Sequence, residues 1–220
     1  MHMQQLFLKL LIVVLVIPAG LNGPPREQGR FRETELVEVT KLDPTIRLDI
    51  RYATADNLMH RQVYTQAMAF LQRPAAEALV RVNRWLHEEG YGLVIFDAYR
   101  PWSATKRIWD LANDADRKNN FVANPREGSK HNRGSAVDLS LFDLTTGSEV
   151  VMPSGFDDFS ERVYPIYPGG TSESRRLRDL LRHVMETQNF EGSNEEWWHF
   201  NYRDWREYRL LNTPFEMIDQ

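Results

Sequence analysis

Residues 129–141 read Ser-Lys-His-Asn-Arg-Gly-Ser-Ala-Val-Asp-Leu-Ser-Leu, and the second half of this stretch alternates apolar and polar side chains. Alternation with a period of two is typical of a β-strand that packs one face into a core. Alternate residues from Val137 onward are apolar, so Asp138 points away from the packed face into a polar space. His131 precedes the strand, and Gly134 allows the connection to bend without a Cβ clash. An imidazole and a carboxylate can therefore converge on one point, although a surface histidine beside a strand-edge aspartate would have the same sequence.

Strand and helix patterns follow one another irregularly along the rest of the chain, with no internal repeat. Strand patterns cover residues 36–39, 46–50, 93–96, 136–142 and 197–201. Helix patterns cover residues 74–89, 103–112 and 177–185. Pro74 lies in the first turn of the first helix and Gly90 follows its end, as is common at helix termini. Mixed elements without a regular βαβ repeat predict one α+β domain with a central, mostly antiparallel sheet flanked by helices.

The composition is that of a soluble globular domain: 220 residues, 42% hydrophobic and 26% charged. Intrinsic disorder, collagen-like repeats and a multi-span membrane protein are therefore excluded. The sequence contains no cysteine, which excludes disulfides, iron–sulfur clusters, thiolate zinc sites and a cysteine nucleophile. Any metal must be held by His, Asp or Glu. The net charge of −4 provides no basic surface of the kind that phosphate binding requires, so nucleic acid is not expected as a partner.

Residues 1–23 differ from the rest of the chain. Residues 6–17 are almost unbroken apolar sequence, and residues 18–20 read Pro-Ala-Gly. A short apolar run ended by helix breakers and small residues is typical of an export signal and is short for a membrane span. We therefore expect export to the periplasm or the extracellular space, with residues 24–34 as a linker and residues 35–220 as the functional domain, not inserted in the membrane. An uncleaved membrane anchor, a buried strand and a cytoplasmic location are the alternatives.

A second polar cluster lies near the carboxyl end, where residues 195–200 read Glu-Glu-Trp-Trp-His-Phe. A histidine among aromatic residues is often a packed core residue, but here a carboxylate lies three positions before it. Glu196 and His199 would lie on opposite faces of an ideal strand, so both reach one metal only if Glu196 lies at the strand entrance or in a bulge. Together with His131 and Asp138, His199 completes a ligand set that suits one zinc ion per chain, with a fourth position for water. An unliganded glutamate beside such a site is suited to act as a general base.

A third segment, residues 97–101, reads Asp-Ala-Tyr-Arg-Pro and follows a predicted buried strand. Arg100 is always protonated, and Pro101 restricts the backbone beside it. The arginine is either a partner in a surface ion pair or a fixed cation that stabilises a developing oxyanion.

These segments together resemble a known family. Residues 129–138, followed by Glu-x-Trp-His at residues 196–199, resemble the signature of the zinc D-alanyl-D-alanine peptidases, which share a fold with the hedgehog signalling domain. Residues 51–57, which read Arg-Tyr-Ala-Thr-Ala-Asp-Asn, and residues 97–101 narrow the resemblance to the D-Ala-D-Ala dipeptidase branch, the type associated with vancomycin resistance. The resemblance covers residues 36–202, with all segments in the same order.

The resemblance implies roles for the residues of the metal and catalytic site. Glu196 would be the catalytic base, and Arg100 would stabilise the transition state. Glu195 competes for the role of base, but the Glu-x-Trp-His spacing selects Glu196. The zinc ligands implied by the resemblance are His131, Asp138 and His199.

The resemblance also implies a substrate pocket. Asp157 corresponds to a carboxylate that holds the free ammonium group of the substrate. Ser129, Tyr52 and Tyr64 correspond to residues that line this pocket. A buried carboxylate aimed at an ammonium group favours a free amino terminus, so the resemblance implies a small dipeptide as substrate.

We therefore expect a zinc metallopeptidase that hydrolyses the D-alanyl-D-alanine dipeptide by attack of a metal-activated water. A D,D- or L,D-carboxypeptidase or endopeptidase acting on peptidoglycan peptides would use the same zinc site in a more open groove. Two further alternatives are a non-catalytic zinc-binding module and an aromatic-rich domain that binds carbohydrate or peptide. The presence of both Glu196 and Arg100 argues against the non-catalytic module. The sequence does not indicate an oligomeric state.

Overall fold

The computed structural model describes residues 23–118, 121–158 and 160–218. In chain order, the strands are β1 Leu36–Glu38, β2 Arg47–Leu48, β3 Phe70–Gln72, β4 Tyr91–Asp97, β5 Ala136–Asp143, β6 Phe190–Gly192 and β7 His199–Tyr202. The α-helices are α1 Val39–Leu42, α2 Arg73–Glu88, α3 Trp102–Leu111, α4 Asp114–Lys118 and α5 Ser172–Thr187. Short 3-10 turns occur at Arg51–Ala53, Lys130–Arg133, Glu161–Val163, Trp205–Glu207 and Phe215–Met217. The predicted export signal lies outside the described residues, apart from Gly23, and no helix in the described ranges is long and apolar enough to cross a bilayer.

The strands form one large sheet and one small one. The five-stranded sheet has the order β2-β4-β5-β7-β6. Strand β2 runs parallel to β4, and every other neighbouring pair in this sheet is antiparallel. Strands β1 and β3 form a separate antiparallel pair. Helix α2 packs on β4 and α5 packs on β5 and β6, so the predicted α+β domain with a central, mostly antiparallel sheet flanked by helices is confirmed.

The contact between α2 and the sheet forms the main core. Pro74 lies in the first turn of α2, and Gly90, with a φ of 86°, follows its end. The fully buried side chains of the helix recur at helical spacing and include Ala75, Ala78, Leu79, Val82 and Leu86. Burial of each large aliphatic side chain stabilises the fold by about 1.5–3 kcal/mol. This packing holds β4 and β5 in place, and those two strands lead into the candidate site.

Strand β5 is buried on both faces. Leu139 and Leu141 have no exposed surface, and neither has Ser140 on the opposite face. The alternation therefore predicted correctly which side chains share a face, but the polar face is also covered. Asp138 is only 4% exposed, and a buried carboxylate requires partners that compensate its charge.

Three local predictions differ from the structure. Val39 opens helix α1 instead of ending a strand, and its N–H donates to the carbonyl oxygen of Ala69 at 2.9 Å. Strand β7 begins at His199, two residues later than predicted, because Trp197 and Trp198 form a turn. Strands β3 and β6 were not predicted, because neither contains a β-branched residue.

The segment before β1, which includes the predicted linker, is irregular but contacts the domain. Glu27 forms an ion pair with Arg133 at 2.6 Å, and Arg32 forms one with Asp204 at 2.7 Å. Arg133 belongs to the 3-10 turn that carries His131, so the segment supports that turn.

Candidate active site

Three side chains that are distant in sequence converge at one end of the sheet. His131 lies in the 3-10 turn Lys130–Arg133, and Asp138 and His199 lie directly opposite each other on β5 and β7. Nδ1 of His199 is 2.8 Å from Oδ1 of Asp138, and Nε2 of His131 is 3.4 Å from Oδ2 of Asp138. One donor atom from each residue lies within 4.8 Å of the other two. Because zinc binds nitrogen and oxygen ligands at about 2.0–2.2 Å, one ion can contact all three.

The turn that carries His131 is held by side chains on either side of it. Ser129 Oγ accepts a hydrogen bond from the His131 N–H at 3.2 Å, and Asn132 Oδ1 accepts one from the Ser129 N–H at 2.7 Å. Gly134 ends the turn with a φ of 69°, in the left-handed region. Asn132 also donates to the carbonyl oxygen of Arg100 at 2.8 Å. The His131 turn and the Arg100 segment are therefore fixed relative to each other.

The donor set fits a zinc ion. His131 Nδ1 lies 2.7 Å from the carbonyl oxygen of Ala98, which places the proton on Nδ1 and directs the Nε2 lone pair towards Asp138. His199 Nε2 lies 2.9 Å from Asn201 Oδ1, which leaves its Nδ1 to face the same point. Burial alone would raise the pKa of Asp138, but the two neighbouring imidazoles outweigh it and hold that pKa below its usual value. Two oriented imidazoles and an ionised carboxylate are a typical zinc ligand set, with the outer hydrogen bonds that orient such ligands.

The converging residues open into a cavity of about 170 Å³. Eight of the nine site residues named from the sequence line it: Tyr52, Arg100, Ser129, His131, Asp138, Asp157, Glu196 and His199. Further lining residues are Ile108, Phe121, Val122, Ala123, Glu195 and Trp198. The wall formed by residues 121–123 had no recognisable signal in the sequence, because it belongs to a loop without periodicity or a motif.

Glu196 lies in the loop immediately before β7, at the strand entrance that the spacing argument required. Its N–H donates to Ser193 Oγ at 3.3 Å. Burial raises the pKa of the Glu196 carboxyl above its usual value, which is suited to a general base that must also return a proton. Glu195 also lines the cavity but is exposed. The geometry therefore favours Glu196 over Glu195 as the base.

Arg100 is a buried cation that forms an ion pair with the carboxylate of Asp97. Its Nε and a terminal nitrogen donate to Oδ2 of Asp97 at 2.9 and 2.6 Å. The hydroxyl of Tyr64 donates to Oδ1 of Asp97 at 2.7 Å, and the N–H of Ala98 does so at 3.0 Å. The guanidinium also lies 5.0 Å from the centre of the Tyr52 ring. Burial alone would lower the pKa of Arg100, but the charge of Asp97 raises it well above its usual value, so the cation persists.

This arrangement corrects one expectation and adds one residue. Tyr64, which the resemblance placed in the pocket lining, is not among the residues that line the cavity and lies behind Arg100 against Asp97. Asp97 was quoted from the sequence as part of a segment and received no role. Its only sequence signal was a position at the end of a buried strand, three residues before the arginine. The carboxylate of Asp97, which has no exposed surface, is stabilised by the four hydrogen-bond donors that contact it.

Asp157 lines the same cavity as Arg100. Its backbone has a φ of 56°, which is uncommon for a residue with a side chain. Its Oδ2 accepts a hydrogen bond from the Leu58 N–H at 3.3 Å. Burial, together with the negative charges of Asp138 and Glu196, raises the pKa of Asp157 to about 7. The carboxylate is therefore placed to gain from a cationic group in the cavity.

The sequence and the fold of this chain are similar to those of known proteins. The sequence profile of the Peptidase_M15 family, described as D-ala-D-ala dipeptidase, matches residues 32–217. The chain belongs to this family. It is 35% identical to the D-alanyl-D-alanine dipeptidase of Escherichia coli over 182 residues, covering 83% of this chain and 92% of that protein. It is 33% identical to the D-alanyl-D-alanine dipeptidase of Enterococcus faecium over 175 residues, covering 72% of this chain and 87% of that protein. A solved D,D-pentapeptidase, VanY in complex with Zn(II), matches with a TM-score of 0.45 at 15% identity, covering 83% of this chain and 87% of that chain.

Membership of the D-Ala-D-Ala dipeptidase family confirms the resemblance drawn from residues 36–202. It also confirms that the chain is an enzyme of the metallopeptidase class, and it rules out the non-catalytic and carbohydrate-binding alternatives. The family profile begins at residue 32, close to the predicted start of the functional domain.

Proposed function

We propose that this chain hydrolyses D-alanyl-D-alanine, using one zinc ion held by His131, Asp138 and His199. The observation that carries the proposal is that these ligands, the partly buried Glu196 and the buried Arg100 line one small cavity. A cavity of about 170 Å³ is below the usual range of about 300–1,000 Å³ for ligand pockets, and a dipeptide of two alanines is among the smallest peptide substrates.

The residues of the chain divide the chemistry among them. When bound, zinc polarises the peptide carbonyl and lowers the pKa of its water. Glu196 accepts the proton of the attacking water, whose oxygen bonds to the carbonyl carbon. Arg100 donates hydrogen bonds to the carbonyl oxygen as negative charge develops there, and Asp97 keeps the guanidinium in place. The carbon–nitrogen bond then breaks, and Glu196 passes its proton to the departing amine.

Asp157 determines which end of a peptide the cavity accepts. Its carboxylate would pair with the free ammonium group of the substrate, and the half-buried setting would strengthen that pair. An acylated amino terminus or a longer peptide would leave the carboxylate without a cationic partner, which costs several kcal/mol in a desolvated site. We therefore propose a strict dipeptidase.

The decisive experiment compares D-Ala-D-Ala with N-acetyl-D-Ala-D-Ala and with a peptidoglycan stem peptide. The purified protein should hydrolyse the free dipeptide, lose activity with a chelator and regain it with zinc. The Asp157→Asn variant should lose most of its preference for the free dipeptide. Faster turnover of the stem peptide would instead support a carboxypeptidase or endopeptidase.

We also propose that residues 1–23 direct export. The support is the sequence alone: an apolar run at residues 6–17 followed by Pro-Ala-Gly. Fractionation of expressing cells, with amino-terminal sequencing of the purified protein, tests it. Recovery of uncleaved protein from the cytoplasm would reject export, and uncleaved protein in the membrane fraction would indicate an anchor.

A further inference from the structure

Asp157 lines two cavities. One is the catalytic cavity, and the other has a volume of about 350 Å³. The second cavity is lined by Arg51, Asp56, Asn57, Leu58, His60, Phe156 and Asp157 itself. The Asp157 carboxylate must be held in one direction if it is to face the substrate. Its Oδ2 accepts a hydrogen bond from the Leu58 N–H at 3.3 Å.

Leu58 belongs to residues 54–62, which form a loop that we call the Asn57 loop. The loop is closed at its base because the carbonyl oxygen of Tyr52 accepts hydrogen bonds from the N–H groups of Val63 and Tyr64, both at 2.8 Å. Tyr52 also lines the catalytic cavity. The base of the loop is therefore anchored to the site, but the position of Leu58 depends on what fills the middle of the loop.

The side chain of Asn57 fills that middle. Asn57 is 7% exposed, and its Nδ2 lies within hydrogen-bonding distance of the carbonyl oxygens of Arg51, Thr54 and Arg61, at 3.2, 2.8 and 2.9 Å. Its Oδ1 accepts a hydrogen bond from the Met59 N–H at 2.9 Å. One buried amide thus joins both arms of the loop, immediately beside Leu58. Removal of the amide would leave several loop backbone groups without their partner.

We propose that Asn57 is a positioning residue for substrate recognition, which fixes the Asn57 loop so that the Leu58 N–H holds Asp157 towards the catalytic cavity. This inference rests on the proposed role of Asp157 as the partner of the substrate ammonium group. Asn57 itself does not line the catalytic cavity. Because Asp157 acts in substrate binding and not in the bond-breaking step, loss of its positioning should raise KM and leave kcat nearly unchanged.

The kinetic test compares Asn57→Ala with the matched control Asp56→Asn. Asp56 lies in the same loop, but its side chain is 80% exposed and pairs with Arg51 on the surface. For Asn57→Ala we expect KM for D-Ala-D-Ala to rise by about tenfold or more. A rise of about tenfold corresponds to the lower end of the free energy that a hydrogen bond to a charged group contributes. We expect kcat within about twofold of wild type and a smaller preference over N-acetyl-D-Ala-D-Ala. Asp56→Asn should match wild type. Unchanged KM, or parallel loss of kcat and bound zinc, would overturn the inference.

A second readout does not depend on turnover. The hydrogen bond from Leu58 favours the ionised carboxylate, so the pKa of Asp157, followed by carboxyl NMR in zinc-free protein, should rise in Asn57→Ala. Should Asn57→Ala fail to fold, Asn57→Asp keeps the shape and the acceptor oxygen but removes the amide donors. An Asp157 pKa equal to that of wild type would overturn the inference. Wild-type protein without dipeptidase activity would reject the proposed function, and the NMR result would then decide the role of Asn57 alone.

Discussion

Two aspartates of this chain form arginine pairs of the same length in opposite surroundings. Asp97 lies 2.6 Å from Arg100, and Asp56 lies 2.6 Å from Arg51. The Asp97 side chain has no exposed surface, whereas that of Asp56 is 80% exposed. Changing each to asparagine removes the same charge from the same kind of pair. The two substitutions therefore compare a buried ion pair with an exposed one.

The expected effects differ several-fold. Removing one partner of a buried ion pair costs about 3–5 kcal/mol, because the other charge remains buried without compensation. An exposed pair contributes about 0–1 kcal/mol. In Asp97→Asn, the N–H groups of the new amide would also face Tyr64, Ala98 or Arg100. These groups are themselves hydrogen-bond donors to this position. We expect Asp97→Asn to lower the free energy of unfolding by about 3–5 kcal/mol, and Asp56→Asn by less than about 1 kcal/mol.

Turnover should also fall more in Asp97→Asn than in Asp56→Asn. In the proposed mechanism Arg100 donates to the developing oxyanion and Asp97 positions it, and loss of one such donor lowers kcat by about 10²–10³-fold. Urea unfolding of the zinc-loaded proteins and kcat for D-Ala-D-Ala measure the two effects. Domains are typically stable by about 5–15 kcal/mol, so Asp97→Asn should remain folded under assay conditions. If both variants lost similar stability, or Asp97→Asn kept wild-type kcat, the buried pair would not have the role assigned to it.

Three further predictions concern the site and its supports. Glu196→Gln should abolish turnover but retain bound zinc by metal analysis, since Glu196 is not a ligand; near wild-type hydrolysis would contradict its role as base. The kcat/KM of wild type should fall as pH drops below about 7, because Asp157 takes up a proton and loses the charge that pairs with ammonium. In Asp157→Asn this fall of kcat/KM at low pH should be absent. Gly134→Ala should lower unfolding free energy by about 1–2 kcal/mol, since its φ is 69° and a Cβ there would collide with Leu36. The control Gly23→Ala, where a Cβ meets no atom within 4 Å, should be neutral in urea unfolding.

The sequence by itself indicated His131, Asp138 and His199 as candidate metal ligands and predicted the strand that carries Asp138. Alternation along residues 136–142 showed that Asp138 opposes the packed face, and the spacing from His131 left only a short turn between the two. The position of Glu196 at the strand entrance could also be predicted. Residues three positions apart, such as Glu196 and His199, would lie on opposite faces if both belonged to the strand. These positions were predictable because the relevant groups are joined by short, regular backbone whose geometry is known in advance.

Only the tertiary structure decided how the cationic and anionic walls of the cavity are supported. Tyr64 matched a pocket position by resemblance, yet it packs behind Arg100 because its hydroxyl reaches Asp97. The carboxylate of Asp157 accepts a hydrogen bond from the N–H of Leu58, which is 99 positions earlier in the chain. Such contacts join loops without periodicity, so their partners are set by the packing of the sheet and helices between them and not by the local sequence.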